Sequence, residues 1–367
     1  MHFAVPHIGT LAAGPRNAIS DVHGVTVGHH TLAHGAVQTG VTVVRPHAGD
    51  PYRDKVPAAA VVLNGFGKSV GLVQVDELGV LETPIALTNT FSVPAMAMAQ
   101  IRQCIGANPE SGRSLPTVNP LVFECNDGFL NDIQRMALGD EHYLEAWAAA
   151  GADFEQGAVG AGRGMSSFEL KGGIGSASRR VAGGGHTLGA LVLANFGKLP
   201  QLTIAGHPVG RHLAGSSPRW GEAGRGARGA RDEGDGVPEQ GSIILLLATD
   251  APLDARQLRR LALRAGAGLA RTGSVFGHGS GDIALAFSTA YTVPHLIERP
   301  MPAIAMLHDG VLDPLFQAAA DACEQAIVNA LWHARPVTGR DGHRRECLAD
   351  LLASWRSLSQ PPARTSP

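Results

Sequence analysis

A mixed α/β fold is predicted by three features of the sequence. Short runs of β-branched and aliphatic residues end at glycines through the first half of the chain, and two longer amphipathic segments lie in the second half. The 47 glycines are too many for a helical bundle and indicate tight turns and close backbone approaches. With 367 residues and 44% hydrophobic content, the chain can bury a sizeable core.

The strands and helices follow from local pattern, in chain order. Apolar runs bounded by turn residues predict strands over residues 24–30, 39–46, 58–67, 83–91, 190–197, 243–248, 282–289 and 302–307. Apolar residues at helical spacing predict helices over residues 134–151, 253–271 and 313–334. The first of these helices is expected to break at Gly139. Asp250 or Asp254 is expected to cap the second, with Pro252 near its first turn.

One segment differs in composition from the rest of the chain. GEAGRGARGARDEGDG, at 221–236, contains no Val, Leu, Ile or aromatic residue, so a mobile surface loop is predicted over about 211–240. The strands on both sides of it are too apolar to stand alone and are expected to share one sheet. The loop is therefore expected to lie within a single domain of residues 1–367, and the tail from about 357 to 367 is expected to be disordered.

Composition and motifs exclude several classes of function. A net charge of −2 does not favour nucleic acid or anionic membranes as partners, and the arginines of 221–236 are accompanied by Asp and Glu and lack stacking aromatics. The four cysteines form no CxxC pair, no HExxH or phosphate-binding loop occurs, and no cofactor or metal is expected. The N-terminus lacks a secretory pattern and no apolar run reaches a membrane span, which predicts a cytoplasmic protein.

Polar residues at strand ends are the candidates for chemistry. Ser242 stands where the loop meets the strand IILLLA, and its position suits a turn, a cap or a nucleophile. Asn195 ends an apolar strand and is either a turn residue or an amide donor to developing negative charge. Ser280 and Asp282, two residues apart at a strand end, are expected to face the same side. GxSxG, the motif of α/β-hydrolases, does not contain any of these serines.

The segment FECNDGFLND, at 123–132, is the other candidate. Its acidic and amide side chains are costly to bury, so it is either a solvated loop or a polar site. Local pattern alone does not choose between these alternatives, nor between the alternatives for the strand-end residues.

Six longer blocks of sequence resemble the peptidase S58 family, which includes the L-aminopeptidase D-Ala-esterase/amidases and the β-peptidyl aminopeptidases. The similarity runs in order from about Pro15 to about Gly342. The blocks are GPRNAISDVHGVTVGHHTL, VPAAAVVLNGFGKSVGLVQVDELGVLETPIALTNT, FELKGGIGSASR, GSIILLLATDAPLDARQLRRLALRAGAGLARTGS, GSGDIALAFSTA and LDPLFQAAADACEQAIVNAL.

This resemblance implies a self-processing hydrolase with a layered architecture that is similar to Ntn hydrolases but has different connectivity. It implies cleavage between Gly241 and Ser242, giving an α chain of residues 1–241 and a β chain of residues 242–367, with Ser242 as the nucleophile. Small peptides, amides or esters would be the substrates, and homotetramers of αβ units the assembly.

The resemblance also assigns roles to the other candidates. Asn195 matches the family's oxyanion residue, and Ser280 and Asp282 match a serine–acid pair in which some members carry Glu. An active-site tyrosine of the family has no counterpart in 123–132, and the nearby Tyr143 does not align with it. From its position in this segment, and not from the resemblance, Glu124 is expected to meet the amino group of the substrate.

Two rival functions are weighed against the hydrolase. One is an acyltransferase of the ornithine-acetyltransferase type, which has a related fold and a threonine nucleophile. The other is an uncleaved, non-enzymatic scaffold. Serine at 242 and the six blocks argue against the first, and the intact set of candidate residues argues against the second.

Overall fold

Two β-sheets pack face to face at the centre of the protein, in a computed structural model that describes residues 5–181, 183, 185–216 and 241–352. The smaller sheet has the strand order β1-β2-β5-β6, and only its last pair is parallel. Its strands are β1 (Thr26–His34), β2 (Val37–Arg45), β5 (Ile85–Asn89) and β6 (Leu121–Cys125).

The larger sheet has the order β13-β3-β12-β11-β10-β9, with β4 paired to β3. Its strands are β3 (Asp54–Gly65), β4 (Val80–Leu81), β9 (Gly173–Arg180), β10 (Thr187–Asn195), β11 (Ser242–Thr249), β12 (Gly281–Ser288) and β13 (Val293–Pro294). The β11–β12 pair is parallel and the other pairs are antiparallel. Two short hairpins pair β7 (Ser166–Ser167) with β8 (Leu170–Lys171), and β14 (Val337–Thr338) with β15 (Arg344–Arg345).

Helices cover the outer faces of both sheets, which gives four layers in the order α, β, β, α. The helices are α1 (Leu72–Leu78), α2 (Val93–Ala107), α3 (Asp140–Ala148), α4 (Val209–Ser216), α5 (Ala255–Arg271) and α6 (Asp313–Trp332). α2 and α3 pack on the smaller sheet, and α5 and α6 on the larger one. Because β11 is covered on both faces, all eight of its residues are buried, which explains its uninterrupted aliphatic sequence.

Most of the strand and helix predictions are confirmed. The segments around 24–30, 39–46, 58–67, 83–91, 190–197, 243–248 and 282–289 are strands, and α5 and α6 match the helices expected near 253–271 and 313–334. Asp254, and not Asp250, caps α5 by accepting a hydrogen bond from the Gln257 N–H at 2.7 Å. β11 lies between β10 and β12, so the segments before and after residue 240 share one sheet, as expected.

Three predictions of secondary structure are wrong or incomplete. Residues 302–307 form no strand, because Pro300 and Pro302 remove amide donors that a strand ladder needs. The predicted loop begins too early, since residues 211–216 complete α4, whose Leu213 packs into the core. The break expected at Gly139 is confirmed, but the helix in the 134–151 region is shorter than predicted and spans only Asp140–Ala148. The rest of the loop and the tail lie outside the described residues, and α2 was not predicted.

No helix among the described residues is long and apolar enough to cross a membrane.

The adjacent His29 and His30 on β1 point to opposite sides, as the strand period requires. The His29 ring contacts the Thr42 hydroxyl at 2.9 Å and the Glu155 carbonyl at 3.0 Å, whereas His30 contacts the Glu145 carboxylate at 2.6 Å. Both histidines therefore have structural partners.

His29 is expected to make the fold sensitive to acid. Burial lowers the pKa of this imidazole to about 4. The unfolded chain therefore binds a proton near pH 6.5, whereas the folded chain does not, so stability is complete above that pH and is lost as the pH falls toward 4. Between pH 7 and 5 the loss from this residue is at most about 2 kcal/mol. Urea unfolding at pH 7 and pH 5 measures this loss of unfolding free energy. His29→Gln should lose less than the wild type, and the exposed His34→Gln should lose the same amount as the wild type.

Candidate active site

Ser242 is the first residue of β11, an inner strand of the larger sheet. In the register of the sheet, Ser242 lies opposite Asn195 at the end of β10 and opposite Gly281 at the start of β12. The Ser242 Oγ accepts a hydrogen bond from the Gly281 N–H at 3.1 Å, and the residue is 6% exposed. An N–H aimed at this oxygen favours negative charge on it, as a nucleophilic hydroxyl requires.

The residue before this serine has no room for a side chain. A Cβ built on Gly241 would lie 2.5 Å from the Asn195 carbonyl oxygen and 2.8 Å from the Phe196 Cα. Both contacts are with backbone, which cannot move aside as a flexible side chain could. The close approach of these two backbone segments explains glycine at this position. It also leaves the 241–242 peptide without a side chain on its carbonyl side.

The Asn195 carboxamide is held in one orientation. Its Oδ1 accepts a hydrogen bond from the Ser166 N–H at 2.8 Å, and its Nδ2 donates to the Asn126 carbonyl at 2.9 Å. One partner can only donate and the other can only accept, so the amide cannot be reversed without losing both bonds. The second hydrogen on Nδ2 is then available for an oxygen that becomes negatively charged beside Ser242.

Ser280 and Asp282 are brought together as predicted. The Ser280 hydroxyl donates to the Asp282 carboxylate at 2.5 Å, and both residues are 1% exposed. The Asn64 amide holds the turn before them by donating to the carbonyls of Gly277 and Ser280. Since the Ser280 proton is committed to Asp282, the lone pairs of the Ser280 oxygen can accept a hydrogen bond from a neighbouring hydroxyl or amine.

Glu124 lies on β6 of the smaller sheet and is 2% exposed. Its carboxylate accepts hydrogen bonds from the Lys68 N–H at 2.8 Å and from the Thr90 hydroxyl. A Cβ built on Gly67 would lie 3.8 Å from both Glu124 Oε1 and the Gly281 Cα. The carboxylate is therefore on the β12 side of Ser242. The polar-site alternative for 123–132 is thus the better description of this residue, because the segment supplies a buried, hydrogen-bonded carboxylate.

Sequence reasoning missed the groups that support Asn195 from behind. The ammonium of the fully buried Lys171 donates to the carbonyls of Gly162, Met165 and Gly172 at 2.6–2.9 Å and so ties together the turn that carries Ser166. Burial raises the pKa of the nearby Asp127 to about 7. Local sequence does not predict this role of Lys171, because a lysine among glycines is also typical of a surface turn. The segment was singled out only by the block FELKGGIGSASR, which resembles the family.

The three tyrosine hydroxyls bind partners outside the site around Ser242. The hydroxyl of Tyr143 donates to Gln103 at 2.9 Å in the outer helical layer, and those of Tyr52 and Tyr291 donate to backbone carbonyls of Pro116 and Leu253. These three side chains are engaged away from Ser242. Within the described ranges, no group of three or more His, Cys, Asp or Glu side chains could hold a metal ion.

Comparison with known proteins gives consistent matches over nearly the whole chain. Residues 17–345 match the model of peptidase family S58. The β-peptidyl aminopeptidase BapA of Sphingosinicella microcystinivorans is 39% identical over 364 residues, which cover 94% of this chain and 90% of that protein.

Two solved structures share the fold. A β-aminopeptidase from Burkholderia sp. is 41% identical, with a TM-score of 0.84 and coverage of 97% of this chain and 98% of that one. The L-aminopeptidase D-Ala-esterase/amidase of Ochrobactrum anthropi is 33% identical, with a TM-score of 0.84 and coverage of 95% and 96%. The latter is described as a prototype for the serine aminopeptidases and a new variant among the Ntn hydrolase fold. The predicted layered, Ntn-like fold is thereby confirmed.

Proposed function

This chain belongs to peptidase family S58, and on that premise we propose that it is a serine aminopeptidase that cleaves itself between Gly241 and Ser242. The mature enzyme then removes N-terminal α- or β-amino acids from short peptides, amides and esters. The observation that carries the proposal is the placement of Ser242 at the start of a buried strand, in register with Asn195 and Gly281. The matches to β-peptidyl aminopeptidases support the substrate class.

Self-cleavage would proceed by an acyl shift from nitrogen to oxygen. The Ser242 hydroxyl attacks the Gly241 carbonyl carbon, the C–N bond breaks, and the Ser242 nitrogen gains the proton that the hydroxyl loses, which leaves an ester on Ser242 Oγ and a free α-amine. Water then hydrolyses the ester, leaving a carboxylate on Gly241 and a free hydroxyl on Ser242. The second hydrogen of Asn195 Nδ2 would stabilise the oxyanion, and the absence of a side chain at 241 would permit the attack.

The new N-terminus would supply a base for the second reaction. An α-amine has a pKa near ~8, so a useful fraction is neutral at physiological pH. This amine, or Ser280 with its Asp282 partner, accepts the hydroxyl proton as Ser242 attacks the substrate carbonyl. The leaving amine takes a proton, an acyl-enzyme forms on Ser242, and water releases the amino acid.

Glu124 would select substrates with a free amino terminus. The carboxylate is buried, accepts two hydrogen bonds and has no cation within salt-bridge distance among the described residues. A substrate ammonium would therefore gain a charge-assisted hydrogen bond there. The tetramer of αβ units and the cytoplasmic location stay predictions.

The experiment compares a short peptide that has a free N-terminal β-amino acid with the same peptide N-acetylated. We expect release of the first residue from the free peptide only. Glu124→Gln should raise KM for it by about tenfold or more, because the ammonium loses an ionic partner. Equal cleavage of the acetylated peptide would contradict the role of Glu124. Acetyl exchange between amino acids without net hydrolysis would contradict the peptidase and favour the transferase.

A further inference from the structure

The two sides of Ser242 differ in charge. Glu124 lies on the β12 side, since its Oε1 and the Gly281 Cα are each 3.8 Å from a Cβ built on Gly67. Asn195 lies on the other side, because β10 and β12 flank β11. For a substrate whose amino group is at Glu124 and whose carbonyl is at Ser242, the side left for the leaving portion is the Asn195 side. The groups beyond Asn195 are therefore those that the leaving portion meets.

Arg345 is a partly exposed charged side chain on that side, which also holds the buried Lys171 and Asp127. Ser166 connects it to the site, since the Ser166 N–H donates to Asn195 and its hydroxyl oxygen accepts from the Arg345 Nε at 3.2 Å. The guanidinium carbon lies 3.7 Å above the ring of Phe129, which also stacks on His343 at 4.7 Å. These contacts hold the plane of the guanidinium while leaving the side chain only partly buried.

The outer nitrogens of this guanidinium lack a protein partner within the described ranges. Neither Nη atom hydrogen bonds to a described residue, and no described carboxylate lies within salt-bridge distance of Arg345. The negative charge of the exposed Glu169 acts on Arg345 and favours its charged form. Burial lowers the pKa of Arg345 to about 10, so the group remains a cation at neutral pH. A fixed guanidinium with both Nη atoms open is suited to a carboxylate held by two parallel hydrogen bonds.

We propose that Arg345 binds the C-terminal carboxylate of a short peptide substrate. The enzyme would then recognise both ends of the peptide, the ammonium at Glu124 and the carboxylate at Arg345. This inference rests on the proposed aminopeptidase function and narrows its substrate class to short peptides with a free C-terminus. Peptide amides and esters are then poorer substrates, because they present no anion to the guanidinium.

The test compares a short peptide acid with the same peptide as its C-terminal amide. For the wild type we expect a lower KM for the acid. Arg345→Met, which keeps the aliphatic stem, should raise KM for the acid by about ten- to a hundredfold more than it raises KM for the amide. Arg345→Lys should restore part of the preference, because it keeps the charge without the planar fork.

The neighbouring Arg344→Met serves as a matched control, because Arg344 pairs with Glu346 at 2.6 Å on the surface. Thermal melting should show folded protein for each variant. Equal KM values for acid and amide in the wild type would overturn the inference. So would a loss in Arg345→Met that is the same for both substrates, since that pattern indicates only support of Ser166 and Asn195. If the wild type hydrolyses neither substrate, the proposed function fails instead.

Discussion

Ser242→Ala is expected to leave a folded, uncleaved chain with no measurable peptide hydrolysis. Alanine removes the hydroxyl that attacks both the Gly241 carbonyl and the substrate, so both reactions lose their nucleophile. Loss of a nucleophile that acts with the surrounding residues as a unit lowers kcat by at least about 10⁴-fold. Ser242 is almost fully buried, and alanine lacks only the hydroxyl, so the smaller side chain fits without strain. Hydrolysis of a short β-peptide and the molecular mass of the chain give the two readouts.

Two further serine variants distinguish loss of the nucleophile from loss of stability. Ser242→Cys keeps a nucleophile in the same place and should retain slow chain cleavage. Ser288→Ala is the matched control, since Ser288 ends the adjacent strand β12, is fully buried and donates to the Ala251 carbonyl at 2.6 Å. That control should lose some stability and keep activity. Hydrolysis by Ser242→Ala at wild-type rates would rule out the assigned nucleophile.

Asn195→Ala is expected to lower kcat by about 10²–10³-fold, equivalent to about 3–4 kcal/mol of transition-state stabilisation. The carboxamide is fixed by Ser166 and Asn126, so its remaining hydrogen is oriented before the reaction begins. The same donor would serve the self-cleavage step, so accumulation of intact chain is expected as well. Activity should be measured per cleaved molecule, with KM and kcat determined separately.

Asn195→Asp distinguishes the donor from the scaffold. Aspartate keeps an oxygen for the Ser166 N–H but presents no N–H and adds negative charge where the oxyanion forms. We expect it to be no more active than Asn195→Ala and to melt below the wild type, because its second oxygen faces the Asn126 carbonyl oxygen. Recovery of activity in the aspartate variant would show that Asn195 acts through structure alone.

Local sequence predicted the parts of the site that depend on strand period and strand ends. Ser280 and Asp282 were expected on one face from their spacing, and the structure joins them by a hydrogen bond. Ser242 and Asn195 were each ambiguous alone, because turn residues and catalytic residues share the same local pattern. Their pairing in register depends on the order of strands, which local pattern does not encode.

The remaining groups could not be predicted because they act over long sequence separations. Ser166 and Arg345 are far apart in the chain and meet only through the fold. Lys171 gave no signal, since a buried ammonium that binds backbone carbonyls looks like a surface lysine in sequence. The false strand at 302–307 shows the converse: an apolar run can match the strand pattern and still form no ladder, here where Pro300 and Pro302 lack amide donors.

The mass of the purified wild-type protein under denaturing conditions, with N-terminal sequencing of its fragments, tests the central claim most directly. The account predicts two chains, one ending at Gly241 and a second beginning Ser-Ile-Ile. Both would remain associated in native conditions, because β11 lies between β10 of the first chain and β12 of the second. A single intact chain of 367 residues, or a cut at any other bond in a hydrolytically active preparation, would contradict it.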